Sequence, residues 1–93
     1  MSVPLGGQYT RSAHAVATPV GDRVVLYHGV SRTAIVLNPT GTWMWSRLER
    51  PRTGNDLAVD LRTRYPGLST VAAERDVSAF LAELLTHEFV ALG

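Results

Sequence analysis

Three histidines are the side chains of this chain best suited to acid–base or metal chemistry. His14, His28 and His87 lie far apart in the sequence. His87 and Glu88 begin the spacing of a zinc-peptidase helix, but the position that would need the second histidine holds Ala91. This spacing excludes a zinc site of that kind, so we expect surface or strand histidines and predict no metal or other cofactor.

Other residue types that carry catalytic chemistry are absent or lack their usual context. The 93 residues contain no cysteine, which excludes thiol nucleophiles, thiolate metal sites and disulfides. No serine lies in a nucleophile-elbow sequence, and no glycine-rich loop has the spacing of a phosphate-binding motif. Glu74 and Asp76 flank Arg75, as on a solvated helix face. The chain is therefore predicted not to be an enzyme.

Length and composition indicate one small globular domain. The chain is 45% hydrophobic and 18% charged, with a formal net charge of +1. This balance gives no general attraction to nucleic acid or membranes, and no apolar run approaches the ~18 residues that a membrane span needs. We expect a cytoplasmic protein with a flexible N-terminal arm at residues 1–11 and a single domain at residues 12–93.

Residues 14–37 have the composition of three short strands. The first predicted strand covers residues 14–18 and is closed by Pro19, and a turn at residues 20–22 follows. The second covers residues 23–28, and the third covers residues 33–37, which are rich in β-branched side chains. Short turns between these strands predict an antiparallel meander.

Three helices are predicted after the strands, because the apolar period changes at Asn38. Asn38 suits an N-cap and Pro39 suits the first helical turn, while Thr53 and Asp56 have the spacing of a capping box. The third helix has the strongest apolar face, and the apolar residues 89–92 are expected to fold back on the core. The predicted bounds are residues 39–49, 53–64, and 69 or 70 to about 87.

Three strands followed by three helices predict an α+β domain of winged-helix-like form, so DNA binding is a rival function. The third helix is the natural recognition helix. Between residues 70 and 88 it carries four acids, Glu74, Asp76, Glu83 and Glu88, against Arg75 alone. Phosphates would be repelled by such a helix, which argues against this rival.

Several arginines lie instead on the first two helices and their connector. They form either a solvated face with local ion pairs or a docking surface for an acidic partner protein. The residues predicted to contact such a partner are Arg47, Arg50, Arg62 and Arg64.

The third predicted strand lies at an edge of the meander and is unprotected. Residues 33–37 contain no charge, proline or glycine, whereas Pro19 blunts the other outer strand. Such an edge is covered by a helix or the N-terminal arm, paired in a homodimer, or used to bind an extended peptide as an added strand. These alternatives stay open at this point.

One shoulder of the third helix favours the peptide alternative. At about 100° per residue, Ala72, Asp76, Ala79 and Glu83 lie together beside the apolar face. The alanines leave room for an added strand, Phe80 provides an apolar wall, and the carboxylates can accept from a cationic or hydroxyl group; an ordinary helix flank is the alternative. The predicted peptide-binding residues are Arg32, Thr33, Ala34, Ile35, Val36, Leu37, Ala72, Asp76, Ala79, Phe80 and Glu83.

Short motifs follow one another in a characteristic order along residues 24–92. They are Leu37-Asn38-Pro39-Thr40-Gly41, Trp45 and Leu48, Pro51-Arg52-Thr53, Leu57 and Leu61, Tyr65, Asp76-Val77, Phe80-Leu81 and Leu84-Leu85. Their order and spacing resemble the PqqD-like family, the precursor-peptide recognition elements of pathways that modify ribosomally made peptides. Two tryptophans at positions 43 and 45 depart from the family pattern, so one of them is expected outside the core.

The resemblance implies a winged-helix-like domain without catalysis of its own, which holds an N-terminal leader peptide between the third strand and the third helix. Proteins of this size are similar to the leader-binding subunit of the split lasso-peptide protease, whose catalytic cysteine lies on a separate peptidase subunit. Leaders there often carry a Tyr-x-x-Pro element, which implies apolar pockets beside Ile35, Leu37 and Phe80. The pyrroloquinoline quinone chaperone of a radical-SAM enzyme is the alternative within the family.

Overall fold

The computed structural model describes residues 3–93, which form three helices and two three-stranded antiparallel sheets. This α+β architecture agrees with the predicted fold class, although it contains a second sheet. The strands are β1 (Gln8–Arg11), β2 (Ala15–Val20), β3 (Arg23–His28), β4 (Ala34–Leu37), β5 (Arg52–Thr53) and β6 (Val90–Leu92), and the helices are α1 (Pro39–Arg47), α2 (Gly54–Arg64) and α3 (Thr70–Thr86).

Strands β2, β3 and β4 form the predicted antiparallel meander. Central strand β3 pairs Leu26 with Ala17 of β2 and with Ile35 of β4. The turn between β2 and β3 places Gly21 at φ 63°, a left-handed conformation that glycine adopts without strain. Strand β2 continues through Pro19, beyond its predicted end, because an outer strand tolerates a residue without an N–H.

His28 organises the turn between β3 and β4. Its imidazole is buried, and Nδ1 accepts the backbone N–H groups of Val30 at 3.2 Å and Ser31 at 3.1 Å. Arg32 adopts φ 62° and donates its N–H to the His28 carbonyl, while the His28 N–H donates to the Thr33 carbonyl. This is the pattern of a β-bulge, and it fixes the register in which β4 begins.

Replacing His28 with Phe is expected to destabilise the protein by about 1 kcal/mol, because Val30 and Ser31 lose their acceptor. Packing against Phe89, whose ring centroid lies 5.9 Å away, would be retained. His28→Asn offers an acceptor near the same place and is expected to lose less. Urea denaturation gives the three free energies of unfolding, and a Phe variant as stable as the original protein would contradict this role.

Each helix begins where its capping sequence predicts. The side chains of Asn38 and Ser69 each accept a backbone N–H from the first turn of α1 and α3. Thr53 and Asp56 form both hydrogen bonds of a capping box at the start of α2. Helix α1 ends at Arg47, earlier than predicted. No helix within residues 3–93 is long and apolar enough to cross a membrane.

Residues 3–11 form a strand and core contacts, although a flexible arm was predicted at residues 1–11. Strand β1 is the centre of the second sheet, whose order is β5-β1-β6. Tyr9 is 0% exposed, and its hydroxyl donates to the Pro4 carbonyl at 2.7 Å. A strand of four residues whose partners lie far away in the chain leaves little local pattern, which is why composition alone predicts a loop. Met1 and Ser2 lie outside the described residues.

Side chains from both sheets and all three helices form one hydrophobic core. Helix α3 contributes the predicted apolar face, with Val77, Leu81 and Leu84 fully buried and Phe80 half-buried. The apolar tail also packs on the core as predicted, since Phe89 is fully buried before β6.

The two tryptophans of α1 have different environments. Trp45 is buried, and the guanidinium of Arg11 lies 4.4 Å from the centre of its ring. Trp43 is half-buried, and the guanidinium groups of Arg47 and Arg64 lie 5.9 and 5.7 Å from its ring. Trp45 therefore belongs to the buried core, whereas Trp43 packs against that core while partly exposed.

Candidate functional site

Strand β4 lies at the edge of its sheet and pairs with β3 on one side. Within residues 3–93, no strand pairs with its other side. The alternative in which an N-terminal strand covers this edge is wrong, because β1 pairs with β5 and β6 instead. The edge therefore offers a row of backbone donors and acceptors.

The hairpin register shows which backbone groups of β4 point outward. His28 donates its N–H to the carbonyl of Thr33, so these residues form a hydrogen-bonded pair. Bonded and non-bonded pairs alternate along an antiparallel ladder, which places Ala34 and Val36 in non-bonded pairs. Their N–H and C=O groups therefore point away from β3 and can pair with an added strand.

A groove of about 510 Å³ borders this edge and is enclosed by β4, the start of α1 and one side of α3. We refer to it as the strand-edge groove. Its volume lies within the range of protein pockets that hold ligands. The residues that line it are Arg23, Val36, Leu37, Asn38, Thr40, Gly41, Met44, Asp76, Ala79, Phe80 and Glu83.

Many of the predicted peptide-binding side chains meet at this groove, although they come from distant parts of the sequence. Strand alternation and the helical period place them on facing elements, with the exposed alanine of α3 leaving space between. Those that line the groove are Val36, Leu37, Asp76, Ala79, Phe80 and Glu83. Their role in binding a peptide stays a prediction.

The other predicted residues lie outside the groove lining. Arg32 and Thr33 belong to the turn before β4. Ala34 offers only its backbone to the edge, whereas the side chain of Ile35 packs against the core. Ala72 is half-buried near the start of α3. Contact between these residues and a peptide stays a prediction.

Five lining residues were missed because they lie outside the third strand and the third helix. Arg23 comes from β3, and Met44 comes from the buried side of α1. Asn38, Thr40 and Gly41 form the junction between β4 and α1. A Cβ at position 41 would lie 3.6 Å from the ring of Phe80 and 3.2 Å from Asn38 Oδ1, so this glycine was a usable signal of close approach.

The strand-edge groove carries charges of both signs. Arg23, Asp76 and Glu83 are exposed, and none of them forms an ion pair within residues 3–93. Their charges are therefore available to a bound peptide. Two carboxylates on the groove side of α3 favour N–H donors and cations over a phosphate backbone.

A second cavity of about 540 Å³ adjoins the groove, and Thr40 and Asp76 line both. We refer to it as the distal cavity. Its other walls come from the end of α2 and the turn that follows, residues 61–68. Hydrogen bonding to Thr40, and then to Arg64, lowers the pKa of the Tyr65 phenol from its ordinary value. The sequence indicated only a helix stop at this turn.

The four arginines predicted to contact a partner have different surroundings. Nε of Arg47 pairs with Asp60 at 3.2 Å. Arg62 donates to a backbone carbonyl of the turn after α2 at 3.3 Å, whereas Arg64 lines the distal cavity. Arg50 is exposed beyond the end of α1. They do not form one uniform patch.

Within the described chain, no group of three or more histidine, cysteine, aspartate or glutamate side chains is arranged to hold a metal ion. The rings of His14 and His28 lie 5.6 Å apart, and His87 lies near Phe89 with 6.5 Å between ring centroids. Their contacts are with other rings and, for His28, with the turn that precedes β4.

Comparisons with known proteins agree with this fold. A family model described as coenzyme PQQ synthesis protein D (PqqD) matches residues 23–90. Among solved structures, the chain is similar to TbiB1 in complex with the TbiA(beta) leader peptide, with a TM-score of 0.80 and 27% sequence identity. That match covers 87% of this chain and 93% of the TbiB1 chain. A search of curated proteins gives no match.

The family match spans β3, β4 and all three helices, and these include every element that lines the strand-edge groove. It also confirms the resemblance drawn from the order of short motifs in the sequence. The chain belongs to the PqqD family.

Proposed function

We propose that this protein is a non-catalytic adaptor that binds the leader of a ribosomally made precursor peptide as a strand added to β4. The observation that carries this proposal is the outward row of N–H and C=O groups on Ala34 and Val36, directly beside the strand-edge groove. Backbone pairing of this kind supplies affinity, and side-chain pockets supply selectivity.

Side chains of the added strand would alternate between the groove and solvent. Those that enter the groove meet the apolar surface of Leu37, Met44 and Phe80, while Asp76 and Glu83 accept hydrogen bonds from polar or cationic neighbours. The similar protein TbiB1 is bound to a leader peptide, which supports a leader as the ligand of this chain as well.

A titration tests the proposal. A synthetic leader of the precursor peptide encoded beside this chain's gene should bind with a Kd on the order of 1 µM, measured by isothermal titration calorimetry. A scrambled leader of the same composition is the control, because it keeps the charge but loses the order of side chains. Equal affinity for both peptides, or no heat with either, would overturn the proposal.

We further propose that the bound peptide is delivered to a separate cysteine peptidase in lasso-peptide biosynthesis. The chain contains no cysteine, so a thiol nucleophile has to come from another polypeptide. A radical-SAM enzyme is the alternative recipient, as the resemblance to the pyrroloquinoline quinone chaperone implies. Adding each purified enzyme to the leader complex distinguishes them, because only the true recipient is accelerated by this protein.

Charge reversal at Arg50 and Arg62 is expected to spare leader affinity but slow processing by the partner enzyme about tenfold. Exposed charges at an interface contribute up to about 1 kcal/mol each, mainly through association rate. The double variant is written Arg50→Glu with Arg62→Glu, and Arg75→Glu on α3 is the matched control. Steady-state cleavage assays measure this rate. An unchanged rate would show that both arginines belong to an ordinary solvated face and do not contact the partner enzyme.

A further inference from the structure

We propose that the distal cavity binds a large apolar side chain of the same peptide, just beyond the segment paired with β4, and that Arg64 binds an acidic residue next to it. This inference rests on the proposed function and extends it to a second subsite. It states a selectivity rule for the ligand: an apolar residue flanked by an acid at the end of the added strand.

Continuity of the two cavities is the first argument. Strand β4 ends at Leu37, and α1 begins at Pro39. A peptide strand that continues beyond this end of β4 therefore meets Thr40 and Asp76. These two residues line both the strand-edge groove and the distal cavity. A peptide that runs along β4 and leaves at this end therefore passes directly into the distal cavity.

The chemistry of the walls is the second argument. Leu61 is buried, Leu68 is half-buried, and Pro66 and the ring of Tyr65 complete a largely apolar lining. An open apolar concavity of about 540 Å³ is large enough for an aromatic or branched side chain. Burying such a side chain there removes apolar surface of both molecules from water, which favours binding.

Charge is the third argument. Arg64 forms no ion pair within residues 3–93, although its neighbour over the Trp43 ring, Arg47, is paired with Asp60. The Arg64 guanidinium lies 5.7 Å from the centre of the Trp43 ring and lines the cavity beside Tyr65, without a carboxylate partner among residues 3–93. Asp76 on the shared wall repels an acid, so the acidic residue of the peptide belongs on the Arg64 side.

Two variants of the protein test this subsite without touching the strand-edge groove. A Cβ at Gly67 would meet nothing within 4 Å, so Gly67→Trp can place a ring in the distal cavity. Fluorescence anisotropy with the labelled leader should show about tenfold weaker binding for Gly67→Trp and about fivefold weaker binding for Arg64→Glu. Arg75→Glu is the control for charge and should bind as the original protein does. Circular dichroism checks that each variant is folded. If Gly67→Trp does not fold, the affinity of Arg64→Glu for the leader tests the subsite instead.

An alanine scan of the leader provides the matching test on the ligand. Alanine at one apolar position of the leader should lower its affinity for the original protein about tenfold but change its affinity for Gly67→Trp little. Alanine at one neighbouring acidic position should lower the affinity for the original protein in the same way but change the affinity for Arg64→Glu little. Tight leader binding that both protein variants retain would overturn the subsite and leave the proposed function intact. A leader that does not bind the original protein would instead overturn the proposed function.

Discussion

Val36→Pro is expected to weaken leader binding by about 100-fold while the domain stays folded. The N–H of Val36 points away from β3, so proline removes a donor to the added strand and none from the sheet. A peptide carbonyl left without that donor costs up to about 3 kcal/mol, which corresponds to about two orders of magnitude in Kd. Proline is also tolerated on an edge strand.

Two neighbouring substitutions make this result specific. Ile35→Pro removes an N–H that pairs with β3 and should cost about 3 kcal/mol or more of stability. Val36→Ala shortens a 61% exposed side chain but keeps the N–H, so it should weaken leader binding far less than Val36→Pro does. Calorimetry gives the Kd values and thermal unfolding gives the Tm values. A folded Val36→Pro variant that binds normally would show that the peptide does not pair with β4.

The same variant tests whether a second copy of the protein occupies this edge. Two β4 strands could pair about a two-fold axis through the outward groups of Ala34 and Val36. Light scattering of the protein without peptide would then show a dimer that Val36→Pro converts to a monomer. A monomer in both cases would leave the edge free for the leader.

Elements of this fold that depend on local interactions could be predicted from the sequence. Asn38, Thr53 and Ser69 cap the helices through side-chain contacts within a few residues, so their sequence pattern is direct. Strands β3 and β4 are recognisable because they are rich in β-branched and other apolar residues. The groove was predicted for the same reason, since alternation in β4 and the period of α3 fix which side chains face each other.

The remaining features depend on contacts between distant parts of the chain. Strand β5 has two residues and β6 has three, and each pairs with β1, so no local pattern distinguishes them from loops. Met44 and Arg23 enter the groove lining only because α1 and β3 pack beside α3. The distal cavity arises where a turn approaches α1, which spacing along the sequence does not encode.

Tyr9→Ala is expected to destabilise the protein by about 3–5 kcal/mol, a large part of the stability of a domain of this size. The ring is 0% exposed at the centre of the β5-β1-β6 sheet. Truncation would leave a cavity in the shared core and remove the hydroxyl that donates to Pro4. Urea denaturation should show the midpoint falling sharply, and loss of the second sheet should precede or accompany loss of the first.

Tyr9→Phe separates packing from the hydrogen bond, because it keeps the ring and should cost only about 1 kcal/mol. Burial also raises the pKa of the Tyr9 phenol, so the native state holds its proton more tightly than the unfolded chain does. That contribution to stability is present below the ordinary tyrosine pKa and is lost as pH rises through the higher native value. Tyr9→Phe should therefore lose less stability at alkaline pH than the original protein.

If residues 3–11 were the flexible arm that composition suggests, Tyr9→Ala would leave the unfolding midpoint unchanged, since no core would depend on the ring.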